Sequence, residues 1–383
     1  MKASSRCARA LLSLMVACAC RAETLTVGPP GQGLSFHQAA RQARDGDTID
    51  VLPGTYRGDV AVLNQHRLLI RGIGERPVFD ADGRDAEGKA IWVVRNGDIT
   101  IENIEFRGAR VPDRNGAGLR FEQGRLTVRR CAFVDNENGI LTANVGDAEL
   151  TIEDSLFAHA PRTRGALHHL LYVGRIARLA ITGSRFHDGF GAHLIKSRAR
   201  ESRIAYNLIV DGKNGEASYE IDLPNGGSAQ IIGNVIHQSA RTTNPVLVAY
   251  GAEGDAWPGS SLAMAHNTLV SDASGAWFLR VWQDRLPKGL PVRVINNLTL
   301  GIGVLSSGNP GRFDGNYPAL RSMLVDIDAL AYGLLDGALL RGQGVDPRSI
   351  DGSDLNPRAE FTLPIGTRPI EAPRDWSPGA FQR

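Results

Sequence analysis

The chain has 383 residues, of which 44 are glycine and 6% are aromatic. A single compact core of this length normally uses more large aromatic side chains, so this composition favours many short strands joined by glycine-containing turns. The formal net charge is +2, and no strongly basic stretch argues for nucleic-acid binding. An acidic ligand would therefore need a local basic patch.

Residues 1–22 have the pattern of an export signal. Basic residues open the segment, an apolar run follows from Ala10 to Cys20, and small residues allow cleavage after Ala22. The run is too short to span a bilayer, and the residues before Cys18 make a poor lipobox. We therefore expect a periplasmic or secreted protein rather than a lipoprotein or a membrane-anchored one.

Cleavage changes both the charge and the cysteine content of the chain. Lys plus Arg falls from 43 to 39 against 41 acidic residues, which gives a net charge of about −2. Cys131 is then the remaining cysteine, so we expect no intramolecular disulfide despite the oxidising destination. The fold must be stabilised by packing instead.

A short amphipathic helix is predicted ahead of the repeats. Within residues 35–43, Phe36, Ala39, Ala40 and Ala43 fall on one helical face. A helix at this point would cover the open strand edge of a solenoid.

An eight-residue pattern then recurs eight times between residues 99 and 299, as in LTIEDSLF at 150–157. Apolar and polar residues alternate inside each copy, which indicates a strand with one buried face. The eighth position is phenylalanine in the first four copies. The third position is always aliphatic, and its members are Ile101, Val128, Ile152, Ile181, Ile204, Ile231, Met264 and Val294.

The sixth position of the pattern indicates how the copies stack. Its members are Ile104, Cys131, Ser155, Ser184, Asn207, Asn234, Asn267 and Asn297, at intervals of 23 to 33 residues. Side chains repeated at one turn of every coil can form a hydrogen-bonded ladder, and repeats of this period are typical of a solenoid. We therefore predict an all-β fold, a right-handed single-stranded parallel β-helix. The leucine positions do not match a leucine-rich repeat, and the turns do not pair neighbouring strands as in a β-sandwich.

The repeat boundaries divide the chain into three parts. We expect a signal peptide at 1–22, a β-helix domain at 23–307, and a C-terminal cap and tail at 308–383. The last part is irregular, with one predicted helical stretch near Ala319–Leu330.

Polar residues able to do chemistry crowd between residues 167 and 257, where second strands separate the eight-residue repeats. Placing Leu171, Ile195, Ile221 and Val248 in one inward column makes the following residues point outward, because strand side chains alternate. The outward residues Tyr172, Lys196 and Asp222 would then stack on successive coils, with Glu220 beside them.

This stack has the groups that β-elimination of a uronate polymer requires: a base, a group that neutralises the carboxylate, and an acid for the leaving oxygen. Lys196 is the candidate base, next to Arg198. Tyr172, His169 and His193 are candidate acids. The alternative without a catalytic role is that Lys196 is a solvated lysine on an exposed strand face.

Further candidates for substrate binding lie in two neighbouring turns. Asn225 belongs to a turn-forming DLPNGG stretch, and Tyr250, Glu253 and Trp257 belong to a glycine-rich loop. Trp257 could stack on a sugar ring. Glu220 and Asp222 are further substrate-binding candidates. His187-Asp188 follows a repeat at a turn, for which a turn role is favoured over catalysis.

Two stretches carry a resemblance to known families. The helix before Gly46-Asp47-Thr48-Ile49 and Pro53-Gly54-Thr55-Tyr56 resembles the start of bacterial β-helix proteins of the pectate-lyase-like superfamily, over roughly residues 24–305. Ile195-Lys196-Ser197 resembles the Lys-Ser strand of chondroitinase B and the alginate lyases of polysaccharide lyase family six. The second resemblance implies a lysine base, an arginine acid one coil later, and a calcium ion that neutralises the uronate.

The chain departs from that family at the arginine. The family's Leu-Arg-His-Gly run corresponds here to Leu223-Pro224-Asn225-Gly226, which leaves Arg198 as a substitute. If calcium binds, Glu220 and Asp222 are the candidate ligands, since calcium prefers oxygen donors.

We therefore favour a polysaccharide lyase that acts on an acidic, uronate-containing polymer, as a monomer. A non-catalytic glycan-binding or matrix-scaffolding protein is the main alternative. A uronan epimerase shares the proton abstraction, but the chain lacks the Asp-Pro-His-Asp run of alginate epimerases. A glycoside hydrolase would need a second carboxylate opposite the pair Glu220 and Asp222.

Overall fold

The computed structural model of the protein describes residues 22–29, 31–163, 165–308, 311–347 and 354–382. All but the last residue of the predicted export signal lies outside the described residues. In the described ranges, no helix has the length and apolarity needed to cross a membrane.

Most of the described chain winds into coils that stack into three long parallel sheets. Each complete coil contributes one strand to the first sheet, one to the second and one to the third, in that order. Every strand pairs with the equivalent strand of the coils before and after it. The predicted all-β parallel β-helix is therefore confirmed, with about ten turns.

The first sheet has 12 strands in the described residues. Its strands are Thr24–Val27, Thr48–Val51, Arg67–Gly72, Asp98–Glu102, Arg125–Arg129, Glu149–Glu153, Arg178–Thr182, Glu201–Ala205, Ser228–Ile232, Ser261–Ala265, Val292–Ile295 and Arg312–Asp314.

The second sheet has 11 described strands and follows the first after a tight turn. Its strands are Thr55–Arg57, Val78–Asp80, Glu105–Arg107, Ala132–Val134, Leu156–Ala158, Arg185–His187, Leu208–Val210, Val235–Gln238, Thr268–Ser271, Leu298–Leu300 and Tyr317–Pro318.

The third sheet has 10 described strands. Its strands are Ala61–Leu63, Ala90–Val94, Ala117–Phe121, Asn138–Thr142, Leu171–Val173, Ile195–Ser197, Ile221–Leu223, Val246–Tyr250, Ala276–Val281 and Gly303–Val304. Tyr172, Lys196 and Asp222 lie on strands of this sheet, and the loops that follow its strands carry Arg198, Asn225, Glu253 and Trp257.

The eight-residue pattern corresponds to a first-sheet strand, the tight turn and a second-sheet strand. All eight third-position side chains are fully buried. The predicted ladder at the sixth position also forms. From Cys131 onward, each sixth-position backbone N–H donates to a side-chain oxygen one coil further, at 2.9 to 3.1 Å, and Asn316 extends the series. The repeat thus continues past residue 307.

The eighth-position phenylalanines form a second column inside the solenoid. The rings of Phe79, Phe106, Phe133, Phe157 and Phe186 stack in order, with centroids 4.6 to 6.2 Å apart. Stacking in register lets each new coil bury a full aromatic side chain against its predecessor. The phenylalanine column therefore fills the interior of successive coils on the side of the second sheet.

A helix spans Phe36–Gln42, within the predicted segment. Ser35 caps it, because its hydroxyl accepts the N–H of Gln38 and the Gln38 side chain accepts the N–H of Ser35. Phe36 stacks on Trp92 with ring centroids 3.7 Å apart. The helix therefore packs on the first coils; its role as a cover for the strand edge stays a prediction.

The C-terminal segment differs from the prediction. In place of a helix near Ala319–Leu330, a 3-10 turn at Arg321–Met323 leads into a hairpin of Leu324–Asp326 and Ala331–Leu334. A second hairpin pairs Ala359–Phe361 with Thr367–Pro369.

Packing explains why no helix forms there. The outward-facing second-sheet residues Leu208, Val210, Val235 and Val270 form one apolar cluster with Leu324, Ile327, Tyr332, Leu334 and Phe361. The segment therefore runs back along the outside of the second sheet. Its apolar residues have helical spacing, but their burial against the second sheet outweighs the local preference for a helix.

Candidate active site

The central residues of the site are aligned by the register of the third sheet. Tyr172 pairs with Lys196, and Lys196 pairs with Asp222, on three successive coils. Leu171, Ile195 and Ile221 occupy the buried column beside them. The side chains next to that column project outward, as the alternation of strand residues requires.

Lys196 is held between two carboxylates. Its Nζ lies 2.8 Å from Oε1 of Glu253 and 3.2 Å from Oδ2 of Asp222. The side chain of Asp222 is 3% exposed, and its Oδ1 has no hydrogen-bond partner among the described residues. Burial raises the pKa of Asp222 to about 6, against the opposing effect of Lys196. A proton is therefore held at Asp222 more readily than at an exposed aspartate.

Glu253 bridges two cations. Its Oε1 faces Lys196, and its Oε2 lies 2.7 Å from the guanidinium of Arg198. Although burial by itself would raise the pKa of Glu253, the hydrogen bonds from Lys196 and Arg198 lower it. The Glu253 side chain is 46% exposed, so this carboxylate sits at the solvent side of a cationic pair.

Arg198 is positioned by three further groups. Its Nε donates to the hydroxyl of Tyr172 at 3.2 Å, and another guanidinium nitrogen donates to Oδ1 of Asn225 at 2.7 Å. The indole N–H of Trp257 donates to the backbone carbonyl of Arg198 at 2.9 Å. Arg198, Asn225, Tyr172 and Trp257, all candidates from the sequence, are therefore brought together.

The loop that carries Glu253 is anchored at its base. The N–H of Glu253 donates to the carbonyl of Pro224, and the side chain of Asn225 donates to the carbonyl of Gly254 at 2.8 Å. Arg175, which the sequence reasoning missed, stacks over Trp257 at 4.3 Å. The indole of Trp257 is therefore held between Arg175 and the site.

His169 and His193 form a column with Tyr219, with ring centroids 5.0 and 4.7 Å apart. The backbone N–H of His193 donates to Nδ1 of His169, and that of Tyr219 donates to Nδ1 of His193. Each neutral ring therefore carries its proton on Nε2. Nε2 of His193 lies 3.4 Å from Asp222.

Burial sets the charge state of both histidines. It lowers the pKa of His193 to about 3, aided by the charge of Lys196, and it lowers the pKa of His169 well below the ordinary value. Both rings are therefore neutral near pH 7. A neutral imidazole can donate a hydrogen bond to Asp222, but it is a poor source of a proton for a leaving group.

Two sequence candidates do not reach this surface. Glu220 is fully buried and accepts a hydrogen bond from Gln238 at 3.2 Å. The strand begins at Ile221, so the inward and outward alternation of its side chains does not extend to Glu220. Tyr250 is also fully buried, since it pairs with Leu223 in an inward column. Their assignment as substrate contacts is corrected on this ground.

The residues present do not fit a calcium ion. Calcium takes six to eight oxygen ligands. In the described residues around Lys196, both oxygens of Glu253 are bound to cations, and Glu220 points into the interior. The unpartnered Oδ1 of Asp222 is a single donor.

The outward column extends beyond the central residues. Register carries it through Leu141 to Arg120 on one side and through Ala249 to Arg280 on the other. These seven rows span about 29 Å at 4.8 Å per coil. Extending the predicted column along the neighbouring coils would have found both arginines in the sequence.

Comparisons with known proteins connect this fold to polysaccharide lyases. No protein-family model matches the chain, and no curated protein matches it in sequence. Among solved structures, pectate lyase Pel9A superimposes with a TM-score of 0.69 at 15% identity, over 94% of this chain and 96% of that one. The chain has a pectate-lyase-like parallel β-helix fold.

Two other structures match less well. An alginate lyase from Paenibacillus sp. str. FPU-7 gives a TM-score of 0.40 at 13% identity, over 77% of this chain and 99% of that one. The GH136 lacto-N-biosidase from Eubacterium ramulus gives 0.46 at 11% identity, over 78% and 68%. At these identities the likeness concerns the fold alone, so the activity must be argued from the site.

Proposed function

We propose that the protein is an exported lyase that cleaves an acidic, uronate-containing polysaccharide by β-elimination. The observation that carries this proposal is the bridge from Lys196 through the carboxylate of Glu253 to Arg198. A carboxylate held between two cations on an outward face is the arrangement that a uronate would need. The pattern of residues 1–22 supports export.

In this proposal the uronate carboxylate replaces Glu253. Arg198 would bind one oxygen and Lys196 would approach the other, so charge that develops on the carboxylate is stabilised in place. The exposure of Glu253 on a loop supports such an exchange, because its side chain can turn toward solvent. Arg198 then supplies the positive charge that calcium supplies in the family named above, while Lys196 serves as the base.

The proton transfers follow from the same contacts. Lys196 passes a proton to Asp222 and takes the C5 proton of the uronate, which costs less because burial has already raised the pKa of Asp222 to about 6. The C4–O4 bond breaks as the C4–C5 double bond forms. Tyr172 donates its hydroxyl proton to O4, and Arg198 stabilises the phenolate until water reprotonates it. His193 holds Asp222 in place, and His169 packs against His193.

The length of the outward column supports a polymer rather than a small ligand. Arg120 and Arg280 lie two rows beyond Tyr172 and Asp222 on either side of the centre. The guanidinium of Arg280 lies 4.5 Å from the ring of Trp282. Cations at both ends of the outward column would bind further acidic sugars, and indole rings suit the flat faces of sugars.

A non-catalytic glycan-binding protein is the second candidate. It is favoured by one observation, that the ammonium of Lys196 is paired with Asp222 and Glu253 as in a purely structural lysine. A hydrolase is less well supported, since its two carboxylates must face each other across the bond to be cleaved. Here Asp222 and Glu253 both face the same lysine.

The deciding experiment is a screen for unsaturated uronates by their ultraviolet absorbance. The mature protein is incubated with alginate, pectate, glycosaminoglycans and bacterial exopolysaccharides, with and without calcium. Lys196→Ala is the test variant and the exposed Lys213→Ala is its control. We expect absorbance to rise on one polymer, independently of calcium, and to be lost in Lys196→Ala alone. Glycan binding without any absorbance, unchanged in Lys196→Ala, would favour the binding protein.

A further inference from the structure

A second polar cluster lies away from the candidate active site, at the carboxyl ends of two neighbouring strands in the middle of the second sheet. His187 is the last residue of the strand Arg185–His187, and Asp188 follows it in the turn. His159 occupies the corresponding turn one coil earlier, since its N–H donates to the carbonyl of His187. Stacking of the coils thus brings together two imidazoles and a carboxylate that are 29 residues apart or less in sequence.

The three side chains converge on one oxygen. Nδ1 of His187 lies 2.7 Å from Oδ2 of Asp188, and Nδ1 of His159 lies 3.0 Å from the same oxygen. The two rings are perpendicular, with centroids 5.0 Å apart. All three donor atoms lie within 4.8 Å of one another.

The surroundings leave the cluster open to solvent. It borders a cavity of about 460 Å³ whose wall also includes Asp135 and Arg162. The side chain of His159 is 55% exposed, that of Asp188 is 27% exposed, and that of His187 is 18% exposed. Arg162, which lines the same cavity, is paired with Glu216 at 2.8 Å. Small ions can therefore reach the donors.

Two imidazole nitrogens and one carboxylate oxygen are the donor set of zinc and its neighbours among the transition metals, not of calcium. We infer that His159, His187 and Asp188 bind one divalent transition-metal ion of the zinc type at the surface, with water completing the coordination. The inference is independent of the proposed function, because the cluster lies on the second sheet and Lys196 lies on the third.

The observed distances need a small adjustment to hold such an ion. With metal–ligand bonds of about 2.0–2.2 Å, tetrahedral donors are about 3.3 Å apart. Nδ1 of His187 and Nδ1 of His159, now 2.7 and 3.0 Å from Oδ2 of Asp188, must therefore move away from that oxygen by about 0.6 and about 0.3 Å. His159, which lies in a turn and is half exposed, can move by that amount without disturbing the ladder or the phenylalanine column.

Zinc titration of the tag-free mature protein tests the site. After chelator treatment and dialysis, isothermal titration is run with zinc and with calcium on the wild type and on His159→Ala and His187→Ala. The exposed His66→Ala serves as the matched control, and Asp222→Asn, which removes a carboxylate donor, reports any zinc taken up at the candidate active site. Circular dichroism checks that each variant is folded.

We expect one zinc per chain, an affinity at least about tenfold weaker in His159→Ala and in His187→Ala, and no change in His66→Ala or Asp222→Asn. Calcium should not compete. Zinc affinity that is absent, or equal in the wild type and in both cluster variants, would overturn the inference. The histidine variants leave the residues around Lys196 unchanged. Loss of zinc binding together with full lyase activity would therefore separate this inference from the proposed function.

Discussion

Replacing Lys196 by methionine should destabilise the fold in a way that depends on pH. The substitution keeps the length of the side chain but removes the ammonium 3.2 Å from Asp222. Asp222 is 3% exposed, so its carboxylate would lose its ion pair while still buried. Breaking one partner of a buried ion pair typically costs about 3–5 kcal/mol.

The pH dependence follows from Asp222. In the wild type its pKa is raised from 3.8 to about 6, so the ionised form is disfavoured in the folded state. At about 1.4 kcal/mol per unit this amounts to about 3 kcal/mol. The protonated form of Asp222 thus adds to the free energy of unfolding. This contribution is fully present below pH 3.8 and is lost as the pH rises through about 6. Without Lys196 the pKa of Asp222 rises further, so the deficit of the variant is larger at pH 8 than at pH 5.

Urea unfolding at pH 5 and pH 8 measures this effect. Lys196→Met should lose stability mainly at pH 8, and the double variant with Asp222→Asn should recover most of it, because the amide carries no charge. The exposed Lys213→Met should be neutral at both pH values. Equal losses at pH 5 and pH 8, or no recovery in the double variant, would refute the coupling between Lys196 and Asp222.

Two further predictions concern the loop and the ladder. Glu253→Gln should lower the KM for the uronate polymer roughly fivefold, as expected for a competing ion pair worth about 1 kcal/mol. Steady-state kinetics beside Asp255→Asn would measure this, and a higher KM would contradict the exchange of carboxylates. Asn234→Ala should lower the free energy of unfolding in urea by about 1–3 kcal/mol, because it leaves the buried N–H of Asn207 without an acceptor. Exposed Asn214→Ala is the control, and an equal loss there would count against the ladder.

The prediction from the sequence was most accurate where each coil repeats the same environment. The third- and sixth-position residues, such as Ile152 and Asn234, are buried in every copy, so their periodicity carries the strand, the tight turn and the stacking direction. The same reasoning placed Tyr172, Lys196 and Asp222 on one outward column, because the side-chain period of a strand is two and Leu171 marked its phase.

It failed at positions that the eight-residue pattern does not specify. Glu220 precedes its short strand, so alternation could not place it. Tyr250 lies in an inward column that was not followed to the end of its strand. The stretch near Ala319–Leu330 has helical spacing, but it packs on the second sheet as a turn and a strand.

Periodicity within one repeat is a local property of the chain, so the β-helix and the register of its third sheet could be predicted from the sequence. Contacts between loops and between distant coils are not local. The folded structure alone showed Glu253 lying between Lys196 and Arg198, 57 residues from the lysine. It alone placed His159 against Asp188. The reason is physical: coil stacking sets which strand side chains meet, while the length and course of each loop, which no repeat specifies, set which charges meet around Lys196.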